Sequence, residues 1–311
     1  MSMERPLEGM RIGVVGKGGA GKSNLTVLVA SALRRRSYEV CILDADSTNV
    51  GLHQALGLNE MPGSLIDYFG GMVFSGGAVS CPVDDPTPLH NAELNLERIP
   101  ARFYGRNTQG ITLLTAGKIG DLGPGAGCDG PINKIARDVQ IRRKGITPVT
   151  LVDFKAGFED SARGAVVSLD WILAVVDPTH AAVQMALHMK NMVEQLQAGA
   201  PPATEHLERE ELRELARTLF REAKIRDVLV VLNRVRDEEM ESYLRGELHK
   251  GGLTPVAVIH EDPGLTLAWL KGAELDGPAL QEAAEVVVTA IEDAARELSG
   301  KPVDSGSESR G

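Results

Sequence analysis

The chain has 311 residues with a formal net charge of −10 and a pI near 5.3; 43% are hydrophobic and only 4% aromatic. That apolar fraction is ample for a packed core of Val, Leu, Ala and Ile, while an acidic surface repels nucleic-acid backbones and anionic lipid. The three cysteines form no disulfide framework, nothing resembles a secretory signal, and the apolar runs fall well short of the ~20 residues of a membrane span, so a cytoplasmic protein is expected.

Residues 10–15 form a short apolar run that stops at glycines, as a buried strand does. Residues 22–36 then carry helical spacing, with Leu25, Val29, Ala30 and Leu33 on one face and Arg34–Arg36 at the end, where arginines satisfy the last carbonyls. Further strands are expected at 39–43, 111–115, 148–152, 171–176, 227–232 and 255–259. Several are apolar throughout, which suits strands buried on both faces of a parallel sheet. Helical patterns at 181–197, 207–222, 237–250 and 265–271 separate most of the later ones. This alternation predicts an α/β fold, a three-layer α/β/α domain around a mostly parallel sheet. One domain is expected over 1–298, with an irregular insertion near 59–110 and a glycine-rich stretch at 122–130. The last helix, 278–298, is amphipathic but acidic, and 299–311 has the composition of a disordered tail.

Gly16-Lys17-Gly18-Gly19-Ala20-Gly21-Lys22-Ser23 follows a strand and opens a helix. In that setting the glycines let backbone N–H groups converge on phosphate oxygens, and the helix N-terminus adds partial positive charge. Lys22 can reach the β- and γ-phosphates of ATP, and the Ser23 hydroxyl can ligate Mg²⁺; Asn24 continues the site. Two further carboxylate stations end strands: Asp44-Ala45-Asp46, and Asp153 followed by Phe-Lys-Ala156-Gly157. Strand ends at one sheet edge are where ligands bind in this architecture. A lone strand-end Asp is often only a helix cap; three motifs in sequence favour a nucleotide site.

The stretch Lys17-Gly-Gly-Ala-Gly-Lys22-Ser23 resembles the deviant Walker A of the family that holds the MinD-like and ParA-like ATPases, the nitrogenase iron protein and the CO-dehydrogenase accessory ATPases. The resemblance implies that Lys17 crosses a homodimer interface to the partner's nucleotide, where its charge acts like an arginine finger. It implies that Asp46 orients the attacking water, and that Asp44 and Asp153 hold Mg²⁺ through its waters. Gly157 would sense the γ-phosphate, and Asn233 would contact adenine, with the loop at His260–Pro263 beside it. The Asp153–Asp160 segment and Leu113-Leu-Thr-Ala-Gly117-Lys118 are most similar to the CooC-like maturation branch. That branch carries a Cys-x-Cys-Pro metal motif; here Gly127-Cys128-Asp129-Gly130-Pro131 has Gly130 in place of the second cysteine. One thiolate per chain gives two at a two-fold axis rather than four, so a nickel or zinc site does not carry over, and Cys128 is the single candidate transition-metal ligand. Cys41 is expected in the core, and Cys81 carries no motif.

The function implied is a Mg-ATP-hydrolysing dimeric switch serving a client protein, foremost a metalloenzyme of the CO-dehydrogenase type. The alternative is a MinD/ParA-like positioning ATPase. The acidic last helix and the net charge of −10 weigh against a membrane or nucleic-acid partner.

Overall fold

The computed structural model describes residues 5–118, 128–157, 164–273 and 278–299. Most of the glycine-rich stretch before Cys128, the Phe158-Glu159-Asp160 segment and residues 300–311 lie outside them. The strands are β1 (Arg11–Gly16), β2 (Val40–Ala45), β3 (Glu93–Asn95), β4 (Gly105–Arg106) and β5 (Thr112–Thr115). β6 (Gln140–Arg142), β7 (Val149–Phe154), β8 (Trp171–Val176), β9 (Asp227–Val235) and β10 (Pro255–His260) follow. The helices are α1 (Lys22–Arg35), α2 (Leu52–Ala55), α3 (Leu65–Tyr68), α4 (Gly130–Asp138) and α5 (His180–Gln197). After them come α6 (Glu210–Arg221), α7 (Glu238–Lys250), α8 (Pro263–Leu270) and α9 (Pro278–Ser299).

Among the described residues, eight strands form one sheet in the order β10-β9-β8-β1-β7-β2-β5-β4. All its pairings are parallel except β4 against β5. Every residue of β1, β2, β7 and β8 is buried, which is why these segments read as unbroken apolar runs. One face carries a core with Leu43, Leu114, Val152, Ile172 and the α5 residues Val183 and Met189. The other face buries Leu25, Val29 and Leu33 of α1 with Val287, Val288 and Ile291 of α9. Two covered faces make the three layers. Each fully buried aliphatic side chain contributes roughly 1.5–3 kcal/mol, so helix docking rather than propensity holds these layers.

α9 is pinned to the end of α1. Arg36 donates to Glu285 and Glu292, each at 2.8 Å, and the buried Tyr38 hydroxyl donates to Glu292 at 2.7 Å. The acidic face of α9 is thus matched by Arg35 and Arg36 rather than by an external cation. Among the described residues no helix is long and apolar enough to cross a membrane.

The irregular 59–110 region has no sheet of its own apart from β3, paired with β6. Its Leu65, Met72, Val79, Leu96 and Phe103 are buried in the same core as α5. α4 was not anticipated. All of Gly130–Arg137 is buried, including Asn133, Lys134 and Arg137; the helix has only nine residues and directly follows the glycine-rich stretch.

Candidate functional site

The topology brings the motifs to one edge. β1 lies between β7 and β8, with Val14 level with Asp153, and Asp44 of β2 level with Asp153 on the other side. The chain leaving β1 therefore passes directly over the ends of its neighbours. Gly16 is tightly placed: a Cβ there would lie 2.8 Å from the Val175 carbonyl oxygen. Gly21 takes φ of +94°, a left-handed conformation that favours glycine, and is the N-cap of α1. It offers no side-chain acceptor, so the first amides of the helix are left for an anion.

Behind the loop the side chains interlock. The Ser23 hydroxyl donates to Asp153 at 2.7 Å and accepts from the Asn49 amide at 2.7 Å. Thr26 donates to the other Asp153 oxygen at 3.3 Å. Lys22 donates to the Lys17 carbonyl at 3.2 Å. Asn233, buried at the end of β9, donates to the Ala20 carbonyl at 2.6 Å, bracing the loop from below. The Lys17 side chain is exposed.

Burial pushes the Asp153 carboxyl up to about 6, against the pull of the Ser23 hydrogen bond and the Lys22 charge. Burial likewise pushes Asp44 up to about 7, opposed by Lys118. Asp46 goes the other way. Burial would raise it, but hydrogen bonds from the Thr48 amide, the Thr48 hydroxyl and the Asn49 amide, with the Lys22 charge nearby, hold it below the ordinary carboxylate range. Burial lowers the Lys22 ammonium, with Asp153 and Asp46 resisting. A pocket with one firmly ionised carboxylate and one buried, proton-poised carboxylate beside a hydroxyl suits a hard divalent cation carried by a phosphate.

These groups surround an open cleft of about 510 Å³. Gly18, Gly19, Gly21, Lys22, Ser23 and Asn24 of the loop line it, together with Asp46, Asn49 and Ala156. Asn233 and Arg234, the loop at His260–Asp262 and the α8 residues Leu265 and Trp269 complete the lining, with Trp269 beside Gly51. Of the three strand-end carboxylates only Asp46 faces the cleft; Asp153 stands behind Ser23. Asp44 stands apart. It is almost wholly buried and is held by Lys118, whose ammonium lies 2.7 Å from its carboxylate. The same ammonium also donates to the backbone oxygens of Asp46 and Asn49. The Asp44 carboxylate is thus one end of an ion pair through which Lys118 also braces the segment from Asp46 to Asn49. Gly157, at φ of +121°, is the last described residue before 158–163. Cys128 is exposed and lies at the start of α4, away from the cleft. Among the described residues no three His, Cys, Asp or Glu side chains are grouped to hold a metal ion.

The sequence reading missed Lys118, Asn49 and Trp269 as site residues. Lys118 was visible only as part of a segment, since its partners lie 69 to 74 residues earlier. Asn49 follows Asp46 by three positions, a spacing that could have drawn notice. Trp269 gave no signal at all.

A glycine loop between a central parallel strand and a helix N-terminus, backed by a buried strand-end aspartate, defines a P-loop nucleotide-binding protein. Residues 13–275 match the CobQ/CobB/MinD/ParA nucleotide binding domain, and the chain belongs to that family. It is 30% identical over 192 residues to an uncharacterized ATP-binding protein of Methanocaldococcus jannaschii, covering 60% of this chain and 74% of that one. It is 27% identical over 202 residues to the carbon monoxide dehydrogenase accessory protein CooC of Rhodospirillum rubrum, covering 60% and 70%. The MinD cell division protein of Aquifex aeolicus shares the fold, with a TM-score of 0.53 at 19% identity over 94% of this chain and 98% of that one.

Proposed function

We propose that this chain binds Mg-ATP in the cleft over Gly16–Ser23 and hydrolyses it, as a dimeric switch that serves the maturation of a metalloenzyme. The observation that carries the reading is the bond between Ser23 and Asp153, which joins the phosphate loop to the strand-end carboxylate at 2.7 Å. Ser23 and Asp153 are the residues that would hold magnesium, directly and through water. When bound, the ion neutralises phosphate charge. Lys22 then binds the β- and γ-phosphates, and the loop amides orient them. Asp46, kept ionised by three hydrogen bonds, positions the attacking water and accepts its proton in the transition state. Asn233 and Arg234 border the end of the cleft open to the base.

The dimer is supported by Lys17. Its carbonyl serves Lys22 while its side chain extends into solvent at the rim of the loop, so the ammonium is free to reach a second copy's phosphates. The similarity to CooC supports a metalloenzyme client. The positioning-ATPase alternative gains no support from α9, whose apolar face is buried against α1.

Calorimetry and phosphate release test the reading together. Lys22→Gln should abolish measurable ATP binding, and Asp46→Ala should keep binding but stop turnover. Asp46→Ala with ATP should elute as a dimer by light scattering, and Lys17→Ala should lose turnover with little loss of affinity. Wild-type affinity in Lys22→Gln would remove the phosphate-loop assignment, and a monomer in every nucleotide state would remove the dimer.

A further inference from the structure

Gly130 is not simply a lost cysteine. A Cβ built there would lie 2.5 Å from the Cys81 sulfur, 2.8 Å from its Cβ and 3.2 Å from its Cα. The Cys81 thiol thus lies against the Gly130 backbone, in the volume a side chain at 130 would need. A thiol from 49 residues earlier in the chain stands two residues from Cys128.

We propose that Cys81 and Cys128 together form a two-thiolate site for a soft, thiophilic divalent ion, with Gly130 kept small to admit Cys81. The loop that carries Cys81 is built for this placement. The Cys81 carbonyl accepts from the Asp85 amide at 2.9 Å, and Ser80 donates to Asp85 at 2.8 Å. Lys134 of α4, 3% exposed, reaches into that loop and donates to Ser80 at 2.5 Å and to the Asp85 carbonyl at 3.2 Å. The helix that follows Cys128 therefore fixes the loop that bears Cys81. A buried lysine is costly to place and would hold no useful position if the two segments moved independently.

Burial pushes the Cys81 thiol up, so an incoming metal ion has to displace its proton. Cys81 is half-buried and Cys128 exposed, so the pair opens to solvent along one side. Each thiol gives its proton to solvent as its metal–sulfur bond forms. Two sulfurs leave a soft ion short of four donors; the remaining positions stay open to water, a second copy of this chain or a receiving protein. An ion held this way can be passed on. The test of this site needs no ATP, so its outcome stands apart from the hydrolysis reading.

Cd²⁺ titrated into the reduced, metal-free full chain without nucleotide tests it through thiolate-to-cadmium charge-transfer absorbance and protection of thiols from alkylation. The expected result is a saturable band with the intensity of two thiolates per chain. Cys81→Ser and Cys128→Ser should each remove at least half of it, and Cys41→Ser, altering the fully buried thiol, should leave it intact. Gly130→Ala keeps all three cysteines but displaces Cys81, and should weaken binding about tenfold or more. Circular dichroism controls for folding in each variant. A band unchanged in Cys81→Ser or Gly130→Ala would show that Cys128 binds alone and overturn the site, as would the absence of any saturable band.

Discussion

Lys118→Met examines the contact on which the geometry of the Asp46 loop depends. The ammonium is nearly buried, with 9% of the side chain exposed, and Asp44 beside it is at 3%. It ties Asp44 to the backbone oxygens of Asp46 and Asn49, so one point charge fixes both ends of the loop that presents the carboxylate proposed to position water. Methionine keeps the stem and removes the charge. Breaking a buried pair from one side costs about 3–5 kcal/mol, because the remaining charge is left uncompensated. Asp44 has a way out, since burial has already pushed its carboxyl up to about 7. Without Lys118 it rises further and takes up a proton near neutral pH, which limits the loss to about 3 kcal/mol.

For a domain of this size that is a fall in Tm of roughly 5 °C, and it leaves a folded protein within the usual stability range. The functional loss should be uneven. The phosphate loop does not touch Lys118, so ATP affinity should fall by no more than about threefold, whereas turnover should fall by about 10²-fold or more as Asp46 loses its position. Differential scanning calorimetry, nucleotide titration and phosphate release on the same preparation decide the matter. Unchanged turnover alongside a lowered Tm would refute the loop-positioning role, and an unchanged Tm would refute the buried pair itself.

Gly21→Ala would place a Cβ 2.2 Å from the Asn233 amide nitrogen at a φ of +94°; ATP binding should be lost by calorimetry while circular dichroism stays native. Asn233→Ala leaves the buried Ala20 carbonyl without its donor and should cost about 1–3 kcal/mol in denaturant unfolding. Without metal or nucleotide, Asp44 takes up its proton near pH 7 in the folded protein and near 3.8 when unfolded. The folded state therefore binds the proton more tightly, and stability should rise by roughly 0.8 kcal/mol as pH falls from 8 to 6.5. Thermal melts in EDTA would show this, and Asp44→Asn should remove the slope. Trp269 lines the cleft whereas Trp171 is buried in the sheet, so ATP should change the tryptophan emission of the wild type and not of Trp269→Phe.

What the sequence revealed and what it hid follow from the range of the contacts involved. β1, β7 and β8 were legible to within a residue or two, because burial on both faces demands unbroken apolar runs. The phosphate loop was legible because its eight residues are contiguous and their chemistry depends on backbone conformation that glycine betrays. α4 was hidden by its short length beside the glycine-rich stretch, and its buried polar residues bind another segment: Lys134 and Arg137 face the loop at Ser80–Thr87. The different surroundings of Asp44 and Asp46 were hidden too, since both lie at the end of one strand two residues apart. Lys118, which follows another strand, pairs with the Asp44 carboxylate and meets Asp46 only at its backbone oxygen. The Cys81–Gly130 contact has the same character. Read alone, Gly130 is a missing ligand; seen with Cys81 against it, the small residue is what lets a distant thiol in.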